Sequence, residues 1–168
     1  MKRNIFCLFL ILLFSQLGFS QNTESYINQT VTLNQYGALE LLSQVNNIAK
    51  QMDRNVSVAI LDAAGVTILL AKNDNVGVHN TEASRRKALT ALSTKTASFQ
   101  LMRNAADNKD AHNLNTLPEL LLLGEAYHIW YKHSIIGAIG VSGGGSGEND
   151  DSIAKQAIIK VDFTIDNK

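Results

Sequence analysis

The 168-residue chain has one cysteine, one proline, one tryptophan and no excess charge of either sign, with 15 Lys and Arg against 15 Asp and Glu. A lone cysteine forms neither an internal disulfide nor the paired thiolates of a structural zinc site. Balanced charge lacks the basic excess that counterion release exploits on nucleic acid, so no nucleic-acid partner is expected. The four histidines, His79, His112, His128 and His133, show no His-x-x-x-His or His-Glu-x-x-His spacing, which speaks against a hydrolytic zinc centre. Gly-x-Ser-x-Gly is missing too, Gly140-Val141-Ser142-Gly143 coming nearest, so a serine nucleophile has no support. Serine there satisfies backbone groups at a strand end more simply. The run Gly143-Gly144-Gly145-Ser146-Gly147 lacks the Lys-Ser/Thr of a phosphate loop; Glu148, Asp150 and Asp151 follow and would repel phosphate. What is present is 45% hydrophobic and 18% charged, a composition that buries a core.

Long apolar runs are also missing. Ile5–Phe14 is ten residues, too short to span a bilayer, and it follows Lys2 and Arg3 and precedes the small residues Gly18 and Ser20. That pattern reads as a secretory signal peptide over residues 1–20. Cleavage after Ser20 leaves 148 of the 168 residues, removes Cys7, and lowers the basic count from 15 to 13 against 15 acids. The expected product is a thiol-free, slightly acidic protein, exported to a periplasm or the medium, without a stable membrane anchor. Residues 21–30 are polar and aperiodic and read as a flexible lead; residues 31–168 form one domain, with no internal repeat.

Within that domain, Thr32 and Gln35 have capping-box spacing ahead of Leu39, Leu42, Val45, Ala49 and Met52, which predicts an amphipathic helix. Val56, Val58, Ile60 and then Val66, Ile68, Leu70 alternate about Asp62-Ala63-Ala64-Gly65, a β-hairpin. A loop over 73–80 leads to a helix capped by Thr81, with Glu82 in its first turn and Ala88, Leu89, Ala91 and Leu92 along it. After a break near Ser93–Ser98 come a short helix with Phe99, Met102 and Ala106, a polar loop over 107–116, and a strand from Pro118 through Leu120–Leu123. A second hairpin over Ala126–Lys132 and Ser134–Val141 and a helix from Glu148 complete the order; Val161, Phe163 and Ile165 fit either a helix end or an extended tail. The expected class is α/β in the α+β sense: an antiparallel sheet of about five strands with helices packed on it.

Two sets of side chains bear on function. Arg85, Arg86 and Lys87 share one helix, where successive residues are about 100° apart, so the three cannot all face one site; one or two could receive a carboxylate, and a solvated surface is the plainer alternative. His79 and His112 fall in the two polar loops and could meet in the fold, while His128 alternates with Trp130 on one strand face.

Three ordered motifs then carry a resemblance. Thr81-Glu82-Ala83-Ser84-Arg85-Arg86-Lys87-Ala88-Leu89-Thr90-Ala91 contains a Lys-Ala-x-Thr-Ala core, Ile135–Gly143 contains Gly-x-Ile-Gly-Val-Ser-Gly, and Val58–Gly65 contains a Val-Asp-x-x-Gly-like hairpin. Together they resemble the GlcG/HbpS family of haem-binding proteins over roughly Val31 to Val161. The resemblance implies a profilin-like domain, a homo-oligomer, and haem as cofactor, bound or in some members degraded. It suggests His79 or His112 as axial ligand, Thr96 as an oxygen donor, Arg85 or Lys87 against a propionate, and Gly143 and Gly144 in a turn that lets a ligand approach backbone. The alternative is a non-catalytic accessory module for a small carboxylate or a corrinoid; an enzyme acting on such acids is a third reading. Where members carry Gly-Gly, this chain has Gly124-Glu125.

Overall fold

The computed structural model describes residues 23–108, 111, 113–124 and 126–167; the expected signal peptide, His112 and Glu125 lie outside the described residues. The chain divides into two units, one ending at Thr30 and one running from Val31 to Lys168. In the first, a 3-10 turn covers Thr23–Tyr26, within a stretch whose composition predicts no regular structure.

The second unit is built on an antiparallel sheet of β1 (Ser57–Asp62), β2 (Thr67–Lys72), β3 (Ala126–Tyr131) and β4 (Ser134–Ser142), in the order β2-β1-β4-β3. Among the described residues four helices cover it: α1 (Gln35–Gln51), α2 (His79–Thr94), α3 (Ser98–Asp107) and α4 (Gly147–Lys160). The α+β class and antiparallel pairing are those expected from the sequence.

One sheet face carries large side chains. Leu41, Val45 and Ile48 of α1, Ile153 and Ile158 of α4, and Ile60, Ile129, Ile139 and Val141 of the strands form a continuous buried cluster. Burying each such side chain contributes roughly 1.5–3 kcal/mol, so this face supplies most of the apolar stabilisation. The opposite face is built around small residues: Ala59 and Ala138 meet Ala88 of α2, with Leu61 and Leu92 filling in beside them. At Gly140 a Cβ would run into the Ser84 carbonyl oxygen and lie 2.9 Å from the Ala88 nitrogen, so the α2 backbone rests directly on β4. This explains the spacing of Ser84, Ala88 and Ala91: all three are buried, on the side of the helix that faces the strands.

Several expectations need correction. The sheet has four strands rather than about five, because Leu120–Leu123 is not a strand. Its backbone is held by side chains of the helices instead: the Leu121 N–H donates to Thr90 Oγ1 at 2.8 Å, Arg86 Nη2 donates to the Leu120 carbonyl at 2.6 Å, and Ser98 Oγ donates to the Gly124 carbonyl. A run of four leucines has the composition of a buried strand, but composition does not say which groups will accept its hydrogen bonds. The cap of α1 is Asn34, whose side chain accepts from the Gly37 N–H at 2.9 Å; Thr32 instead accepts from the Ala63 N–H at 3.1 Å and steadies the β1–β2 turn. Helix α2 starts at His79, two residues before Thr81, with no side-chain cap. Beyond α4 the tail is extended, with Trp130 and Thr164 exchanging backbone hydrogen bonds at 2.8 and 3.1 Å.

Candidate functional site

The first turns of α2 and α4, the face of α3, the 121–124 segment and the end of β4 surround a cavity of about 900 Å³. That is within the range of small-molecule and cofactor sites. Its walls and floor differ in chemistry. Phe99 and Met102, three residues apart on α3, line it together with Leu121 and Leu123 and make the walls apolar. Arg103 stacks over the Phe99 ring, 4.1 Å from its centroid, and fixes that aromatic wall.

The floor is a buried ion pair. Lys87, 3% exposed, donates from Nζ to Asp150 Oδ2 and to the Val141 carbonyl, each at 3.1 Å. The other carboxylate oxygen of Asp150 accepts from the Gly144 N–H at 2.7 Å, and Asn149 Nδ2 donates to the Gly144 carbonyl at 2.7 Å. Ser146 caps α4 by accepting from the Asn149 N–H at 3.2 Å. Gly143 and Gly145, at φ +106° and +92°, allow the chain to fold back over the pair. At least one N–H that a phosphate loop would offer to an anion is thus already bonded to the chain's own aspartate. Opposite the turn, Ser142 Oγ donates to Asn80 Oδ1 at 2.8 Å and ties the end of β4 to α2. Removing one member of a buried pair leaves an uncompensated charge, so Lys87 and Asp150 lock the floor against rearrangement.

The expected site residues scatter. His79 lines the cavity at the start of α2, exposed at its rim; Lys87 lies in the floor and Gly143 in the lining, with Gly144 bonded just behind it. Arg85 is outside the lining, bridged through Nη2 to Glu82 at 2.7 Å and to Glu119 at 2.8 Å. The hydrogen bond from Arg85 holds the Glu82 carboxyl below its usual range against the opposing effect of partial burial, and the same bond raises the Arg85 pKa. Thr96 sits between α2 and α3 and donates to the Thr94 carbonyl at 3.1 Å; it too is outside the lining. His128 is buried on β3 outside the cavity lining, edge-on to Trp130 at 5.7 Å, its Nδ1 without a hydrogen-bond partner among the described residues, and burial pushes its pKa down. Among the described residues no group of three or more His, Cys, Asp or Glu side chains could hold a metal ion, and no helix is long and apolar enough to cross a membrane.

Sequence reasoning did not find the partner of Lys87, because Asp150 lies 63 residues further on and its position in a first helical turn already accounts for an acid. Nor did it find the leucine wall, which it assigned to the sheet. The available signal was the three-residue spacing of Phe99 and Met102, which marks one apolar helix face without saying what it faces.

Residues 33–159 match the family described as HbpS-like, haem degrading protein HbpS-like. The corrinoid adenosyltransferase PduO of Salmonella typhimurium is 30% identical over 115 residues, which cover 67% of this chain and 34% of that protein, so the chain spans about a third of that relative's length. A double mutant of HbpS from Streptomyces reticuli has the same fold at a TM-score of 0.75 and 27% identity, covering 86% of this chain and 94% of that one. A PduOC–heme complex aligns at a TM-score of 0.73 and 27% identity, over 80% of this chain and 99% of that one.

Proposed function

The chain belongs to the HbpS-like family, and from that premise we propose that it is a haem-binding protein whose porphyrin occupies the cavity between α2, α3 and the glycine turn. The observation that carries this reading is the division of that one cavity into apolar walls, Phe99, Met102, Leu121 and Leu123, and a side that carries the cations Arg86 and Lys87. Haem has the matching division, a flat apolar ring edged by two carboxylates. The residues fit the group: the walls exclude water from the ring faces, and His79 offers an exposed imidazole at the rim as a ligand for iron. His112 is the alternative histidine for that role. When bound, haem supplies an iron centre with redox and ligand-binding chemistry. The neighbouring PduOC structure is a heme complex, which supports the reading by likeness of fold. The proposal includes export, supported by the basic start and ten-residue apolar run of the first twenty residues.

Titration of the purified protein with haemin, followed at the Soret band, tests this. A saturable shift at micromolar protein that is lost or altered in the double variant His79→Ala/His112→Ala is expected. No saturable shift would remove haem from the reading, and a shift indifferent to both substitutions would remove the histidines. Saturation by a corrinoid instead would assign the cavity to a corrin ring.

A further inference from the structure

The consecutive cations Arg85, Arg86 and Lys87 stand in three different environments. Arg85 is turned outward and bridged to two carboxylates, Glu82 and Glu119. Lys87 is turned inward and bonded to Asp150 and the Val141 carbonyl. Arg86 lines the cavity and, among the described residues, has no carboxylate partner. Its Nη2 donates to the Leu120 carbonyl at 2.6 Å, and its Nε–H is buried without an acceptor.

A guanidinium has five N–H donors in a planar fork suited to a carboxylate. The Leu120 carbonyl takes one of them and fixes the plane beside Leu121, one of the apolar walls. None of the acids lining the cavity is hydrogen-bonded to Arg86: Glu82, which also feels the Arg86 charge, is bonded to Arg85, Asp150 is bonded to Lys87, and Glu148 is solvent-exposed. Among the described residues no acceptor reaches the buried Nε.

We propose that Arg86 is the carboxylate receptor of the cavity, binding a propionate of the seated porphyrin and distinguishing the free acid from its ester. This rests on the haem reading. It reassigns the propionate contact expected of Arg85 or Lys87 to the residue between them.

The test is equilibrium titration of the purified protein with haemin and with haemin dimethyl ester, for the natural sequence and for Arg86→Gln, Arg86→Lys and Arg85→Gln, with thermal melting to verify folding. Since a charge-assisted hydrogen bond contributes more than a neutral one, the natural protein should prefer the acid by about tenfold. Because Arg86 also holds the Leu120 carbonyl, Arg86→Gln should weaken binding of both compounds, and the readout is the ratio of acid to ester affinity, which should fall to about one; Arg86→Lys should keep part of the preference and Arg85→Gln all of it. An acid-to-ester ratio in Arg86→Gln equal to that of the natural protein overturns the role of Arg86 and leaves the haem reading standing. Failure of the natural protein to bind either compound overturns both.

Discussion

The two faces of the sheet solve different problems. Under α1 and α4 the contacts are between large side chains, Leu41, Ile48, Ile60, Ile139, Ile153 and Ile158, each fully or almost fully buried. Under α2 the contacts are mostly between small groups, Ala59, Ala88, Ala138, Gly140 and the Ser84 backbone, with Leu61 and Leu92 beside them. The first face tolerates small shifts, because many dispersion contacts share the load and side chains can repack. The second has less room to shift: at Gly140 no side chain stands between helix and strand, so the backbone of α2 is placed there directly by β4. Lys87 on that helix is thereby set against the Val141 carbonyl of that strand, and the cavity floor follows. Bulk gives this protein its stability, and the absence of bulk gives it its site.

The largest expected effect breaks the second face. Asp150→Ala should cost about 3–5 kcal/mol in urea denaturation, because the buried Lys87 ammonium loses its counter-charge. The double variant Lys87→Met/Asp150→Ala should be less destabilised than that single one; a double variant at least as unstable would mean that the uncompensated charge is not what the single change costs. On the apolar face, Ile60→Ala should cost about 3 kcal/mol by loss of buried methyl groups and the cavity left behind. Haemin affinity of the folded Ile60→Ala protein should equal that of the natural one, and a parallel loss of binding would show that the two faces are not separable.

The smallest effect concerns His128, which pairs with Ala138 on the α2 side of the sheet. Burial holds its folded pKa below the ordinary 6.5. The unfolded chain therefore takes up a proton that the folded chain resists. Stability is fully present above about pH 6.5 and falls as the pH drops through that value toward the lowered folded pKa. His128→Phe should make the fall in melting temperature from pH 7 to pH 5 shallower. An unchanged slope would show that the buried imidazole is not what acid acts on.

Much of the architecture was legible in the sequence because it rests on neighbours along the chain. Asp62-Ala63-Ala64-Gly65 turns the first hairpin, with Asp62 Oδ1 accepting from the Ala64 and Val66 N–H groups at 2.9 and 2.8 Å and Gly65 at φ +84°. The break after α2 falls where expected, Lys95 taking a left-handed conformation after Thr94. Errors arose where a local pattern had two physical outcomes. Alternation and capping spacing put Thr32 at a helix start, yet its hydroxyl serves a turn 31 residues away. Apolar composition made a strand of Leu120–Leu123, yet that segment is held by Arg86 and Thr90 and walls the cavity.

For the site, the sequence by itself determined the inventory: three consecutive cations, a glycine turn followed by acids, a histidine ahead of the helix, and motifs in family order. Helical geometry also dictated that Arg85, Arg86 and Lys87 must point in different directions. Which direction each takes was decided only in the tertiary structure, because it depends on partners supplied from far along the chain. Glu119 draws Arg85 outward, Asp150 and Val141 hold Lys87 inward, and the Leu120 carbonyl orients Arg86 without neutralising it. Charge is a local property of sequence; its compensation is a property of the fold.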